Sequence, residues 1–97
     1  MDIRKIKKMI NMYGHDTVFI YSNVSRYNRR IAYVQWCGDN KIWFFTELHE
    51  AFEWNDFSNK EKCTLASDIY REIIHQLGEE VRIAQNKLEQ VEAIWIK

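Results

Sequence analysis

Proline is absent from these 97 residues, and glycine occurs only three times. Without proline the chain has no fixed kink and no proline-rich linker; three scattered glycines do not make a phosphate-cradling loop. The two cysteines, Cys37 and Cys63, are too few for a disulfide framework. In a domain this apolar they read as reduced, partly buried thiols. Net charge is also lacking: 14 Lys and Arg balance 14 Asp and Glu. Nothing therefore draws the whole chain toward nucleic acid or an anionic membrane. No run approaches the ~18 apolar residues of a membrane span. Lys7 and Lys8 interrupt the start before a secretory core could form. The expectation is a soluble, cytoplasmic protein.

What is present is ordinary for one globular domain spanning residues 1–97: 46% hydrophobic and 29% charged residues, with a 14% aromatic share. A chain this short buries about 60–65% of the surface its unfolded form exposes, so not all fourteen aromatics are expected inside. Charge is unevenly placed. Residues 1–36 carry seven Lys/Arg against two acids, a net of +5; residues 37–66 and 67–97 carry nets of −3 and −2.

Residues 2–13 predict a helix, with Ile3, Ile6, Ile10 and Tyr13 in one stripe and Gly14 placed for a left-handed cap. Residues 17–48 predict three strands, TVFIYSNV, RRIAYVQW and KIWFFTEL, rich in β-branched and aromatic residues. A two-residue turn at Asp39-Asn40 would set Trp36 opposite Trp43 and Val34 opposite Phe45 on one face. Tyr33, Gln35 and Cys37 would then meet Ile42, Phe44 and Thr46 on the other. Residues 49–57 admit a short edge strand, a helical turn or an aromatic loop, and the reading preferred is a loop or short helical turn. Ser58 and Glu61 form a capping box that starts a helix at Asn59.

That last helix, residues 59–96, is long. Tyr70, Ile74, Leu77, Val81, Ala84, Leu88, Val91 and Trp95 repeat at alternating spacings of four and three, a coiled-coil-like seam. The phase survives Gly78, although a competing reading breaks the rod there into a hairpin. Unbroken, the rod would be about 50 Å long and would outrun a sheet of about 20–25 Å. Residues 59–77 would then pack on the sheet and 78–96 on another helix, either helix 2–13 or a second copy of the rod. The predicted fold is α+β: an N-terminal helix, a three-stranded antiparallel meander and a long C-terminal helix packed on the sheet. The predicted core is Ile6, Ile10, Val18, Ile20, Val34, Trp36, Trp43, Phe45, Ile73, Ile74 and Leu77.

Chemistry-bearing patterns are sparse. The histidines and cysteines never fall at metal-site spacing; His49 and Glu53, four apart, are two ligands and not a site. Cys37 lacks a base at a spacing that implies contact, and His15-Asp16 reads as turn composition before a dyad. Glu47, Glu50, Glu53 and Asp56 form an acidic run of the kind that is usually solvated. The expectation is therefore no enzyme, no cofactor, no metal and no small-molecule substrate.

Two binding readings remain. In the first, the chain is an interaction module that self-associates, as a dimer, through Val81, Ala84, Leu88, Val91 and Trp95; Trp54 and Trp95 supply surplus aromatic surface. Another protein could take the second copy's place. In the second, the basic N-terminal third is a nucleic-acid-binding regulator. Arg4, Lys5 and Lys8 on the first helix, with Arg26, Tyr27, Arg29 and Arg30 in the loop after the first strand, would hold phosphates and stack a base.

Overall fold

In the computed structural model, residues 3–24, 29–36, 41–79 and 85–96 are described. Helix α1, Ile3–Tyr13, buries Ile6, Met9 and Ile10. Gly14 closes it in the left-handed conformation (φ 86°), and its N–H donates to the Ile10 carbonyl at 3.0 Å. The expected cap is thus made, and glycine suits it because a Cβ there would be strained.

Strands β1, Thr17–Ser22, β2, Ile31–Trp36, β3, Ile42–Thr46, and β4, Ala51–Glu53, follow. They lie side by side in chain order as an antiparallel meander. The described residues thus form four strands where the sequence predicts three. The added strand comes from the stretch that reads as a loop, and its three residues are too few to show an alternation. Thr46 makes the β3–β4 turn without glycine. Its buried hydroxyl accepts the Leu48 and Glu50 N–H groups at 3.3 and 3.1 Å, while His49 takes a left-handed φ of 63°. A 3₁₀ turn, Trp54–Asp56, follows β4, with the Glu53 N–H donating to Asp56 at 2.8 Å.

The β2–β3 register differs from the expected one by a single residue. Val34 pairs with Phe44, Tyr33 with Phe45, Gln35 with Trp43 and Trp36 with Ile42. Because the side-chain period of a strand is two, this shift moves every β3 side chain to the opposite face. Phe44 is therefore fully buried, against Trp54 and Phe57 with ring centroids 5.8 and 5.3 Å away. Trp43 and Phe45, expected in the core, are half-buried on the outer face instead. Trp36 and Ile74 are also only half-buried, at the margin of the core. Trp54, expected as surplus surface, belongs to the core.

The capping box forms as expected: Glu61 N–H donates to Ser58 Oγ at 3.2 Å and Ser58 N–H to Glu61 Oε1 at 2.8 Å. Helix α2, Asn59–Glu79, lays Leu65, Ala66, Ile69, Ile73 and Leu77 inward. Cys63 on its first turns is exposed, not partly buried.

The single long C-terminal helix is not found. The helix passes through Gly78 and ends at Glu79, and a separate helix α3, Gln85–Ile96, packs on α1 and α2. The Tyr70 and Trp95 rings stack 4.5 Å apart at 11°; in one unbroken helix they would stand about 37 Å apart. The longest extent of the molecule is 41 Å, shorter than the expected rod of about 50 Å. Val91 is fully buried, and Leu88 and Trp95 are partly buried against the same core. The described residues of the greasy seam are thus covered inside one subunit. Helix α2 packs on β1, and α1 and α3 pack on α2 and on each other; on the other face of the sheet Phe19 and Tyr21 are exposed.

Candidate interaction surface

The open face is built by strand alternation. Inward side chains run across the sheet as Val18, Val34, Phe44 and Phe52. One residue along, the outward row is Phe19, Tyr33, Phe45 and Ala51; the next is Thr17, Gln35, Trp43 and Glu53. Tyr33 stacks on Phe45 with centroids 4.8 Å apart and tilts toward Phe19 at 5.9 Å. His49 closes the row, its Nδ1 sharing a 2.9 Å hydrogen bond with the Tyr33 hydroxyl. Phe19 and Tyr21 are 55% and 60% exposed.

Tyr21 is held at φ 48°, in the left-handed region, where the β1–β2 register shifts between Phe19 and Ser22. A non-glycine residue there costs on the order of 1–3 kcal/mol, which the surrounding sheet must offset. Among the described residues the two non-glycine residues with positive φ, Tyr21 and His49, thus lie beside the exposed aromatic row. At the same end of the sheet Arg29 pairs with Glu50, and Arg30 pairs with Glu47 at 2.6 Å. This part of the rim carries two arginines, each paired with a glutamate.

The residues expected to bind a partner or nucleic acid are dispersed. Val81, Ala84, Arg26 and Tyr27 lie outside the described residues, as does Cys37. Leu88, Val91 and Trp95 are used within the subunit. Arg4 and Lys8 are exposed on α1; Lys5 donates to the Trp95 carbonyl at 3.3 Å, tying α1 to α3. Arg29 and Arg30 face carboxylates already. Of the acidic run, Glu47 and Glu50 hold those arginines and Asp56 serves the 3₁₀ turn. His49 sits in a turn and Glu53 in β4, so they share no helix face. Among the described residues no three His, Cys, Asp or Glu side chains converge as a metal site, and no helix is long and apolar enough to cross a membrane.

His15 and Asp16 line a second feature, an open cleft of about 380 Å³ between the end of α1, the start of β1 and α2. The aromatic outer face was hidden from sequence reasoning by the one-residue register error. The signal that could have found it is Phe19 with Tyr21 in β1 and Trp43 with Phe45 in β3, two aromatics per strand at a spacing of two. Comparison of the chain with protein-family models, with curated proteins and with solved structures gave no match.

Proposed function

We propose that this chain is a non-enzymatic interaction module that self-associates as a dimer, with the open aromatic face of the sheet as the contact. The observation that carries the reading is the exposure of Phe19 and Tyr21 beside the half-buried Tyr33, Trp43 and Phe45. An aromatic side chain offers roughly 150–250 Å². Just over half of two and a smaller part of three others amount to roughly 400 Å², the size of the apolar patches that on monomers are often functional. Doubled across a two-fold axis, with its polar rim, such a patch reaches about 1,000 Å², the lower limit of a specific interface. The dimer is therefore weak and concentration-dependent.

A second copy suits the rim. Two arginines and two glutamates meet their own opposites when a patch is turned on itself, whereas a polyanion would meet two carboxylates with them. The C-terminal helix is the poorer contact, since Val91 and its neighbours are covered by α1 and α2.

Sedimentation equilibrium tests this. The average mass is expected to climb from 11.8 kDa toward twice that value with rising concentration. Phe19→Ser or Tyr21→Ser should hold it at the monomer value. A wild-type chain that stays monomeric near millimolar concentration refutes the proposal. A dimer lost in Trp95→Ser but kept in Phe19→Ser returns the contact to the C-terminal helix.

The nucleic-acid reading keeps one specific support: Arg29 and Arg30 border aromatics able to stack bases. Salt-sensitive binding of single-stranded oligothymidylate, lost in Tyr33→Ala, would favour it over the dimer.

A further inference from the structure

Strand β1 is a sheet edge, and the hydrogen-bond phase shows which of its groups are spare. The Trp36 N–H donates to the Asp16 carbonyl at 2.9 Å. In this register Asp16 opposes Trp36 and Val18 opposes Val34. Bonded pairs alternate in an antiparallel ladder, so residues 16 and 18 turn their backbone groups to β2. Thr17 and Phe19 therefore turn theirs outward, to the edge where no strand pairs among the described residues. No proline or lysine blocks this half of the strand; the twist that protects an edge comes later, at Tyr21.

Beside that edge runs the cleft lined by Tyr13, His15, Asp16, Val18, Glu72 and Gln76, among others. Among the described residues its lining holds two carboxylates, Asp16 and Glu72, and no lysine or arginine. Lys87 Nζ lies beside Gly14 at the end of α1 and answers the negative pole of that helix, so the acidity of the cleft rests on the two carboxylates. Gln76 Nε2 donates to Glu72 Oε1 at 2.9 Å, which holds that carboxylate in place at the cleft. Tyr13 and Val18 supply an apolar wall along which the stem of a long side chain can lie.

We propose that the β1 edge binds an extended peptide carrying a lysine or arginine. The peptide backbone pairs with Thr17 and Phe19 as an added strand, and its basic side chain enters the cleft to meet Asp16 and Glu72. Main-chain pairing supplies the affinity and the acidic cleft the specificity. This site is separate from the aromatic face, and it does not require self-association.

The test uses the full chain at a concentration where it is monomeric, with a fluorescein-labelled Thr-Val-Lys-Val-Thr peptide. Saturable anisotropy is expected, along with amide shifts at Thr17 and Phe19 in a ¹⁵N spectrum. Glu72→Gln and Asp16→Asn should each weaken binding roughly two- to fivefold. Glutamate in place of the peptide lysine, or N-methylation of the peptide backbone, should abolish it. Equal binding of the lysine and glutamate peptides overturns the proposal, as do shifts confined to other strands or no saturation at millimolar peptide. The two carboxylate variants sit at the surface, and a retained thermal midpoint separates lost binding from lost folding.

Discussion

The register of β3 makes a prediction that the two adjacent phenylalanines must obey in opposite senses. Phe44 is fully buried and touches Trp54 and Phe57. Truncating a buried phenylalanine to alanine costs about 3–5 kcal/mol, through lost transfer energy and the cavity left behind. A domain of this size holds roughly 5–15 kcal/mol in all, so Phe44→Ala sits near the limit of folding. Phe44→Leu, which keeps most of the volume, should cost about 1.5 kcal/mol. Phe45 is half-buried on the outer face, stacked on Tyr33. Its truncation loses the stack and some area, about 1–2 kcal/mol. Urea unfolding followed by the fluorescence of the four tryptophans gives each value. A cost for Phe45→Ala that equals or exceeds that of Phe44→Ala would refute the register and, with it, the aromatic outer face.

Two further outcomes follow from the fold-back of α3. A double-mutant cycle between Tyr70→Ala and Trp95→Ala should return a coupling of about 0.5–1.5 kcal/mol for the stacked pair; zero coupling would restore the continuous rod. Burial, and next the Glu92 carboxylate, push the Tyr70 hydroxyl above its ordinary value of 10.0. The folded state thus disfavours the phenolate, so this contribution to stability is fully present below pH 10 and is lost as pH rises through the raised value. Ultraviolet titration should show one of the five tyrosines ionising late, a feature absent in Tyr70→Phe.

Local chemistry was legible in the sequence wherever one residue does one job. Gly14 announces the end of α1, and Ser58 with Glu61 announces the start of α2. The α1 stripe was read correctly apart from Met9. Register was not legible, because both alternating sets in β3 are apolar: Ile42 and Phe44 on one side, Trp43 and Phe45 on the other. Hydrophobicity could not choose between them. The division of the C-terminal helix was invisible for a related reason. A seam of period 3.5 records phase, and phase is the same whether the helix runs on or folds back onto its own first half. The candidate site inherited both errors. The seam was assigned to a second copy in preference to the first helix, whereas α1 and α2 cover its described part, and two of the outward aromatics, Trp43 and Phe45, were assigned to the core.

The hydrogen bond from Lys5 to the Trp95 carbonyl joins the first helix to the last. During synthesis α1 leaves the ribosome well before the helix that completes its cover. At roughly 5–20 residues per second the interval is several seconds. Through that time Ile6, Met9 and Ile10, all buried in the finished fold, lack their complete cover.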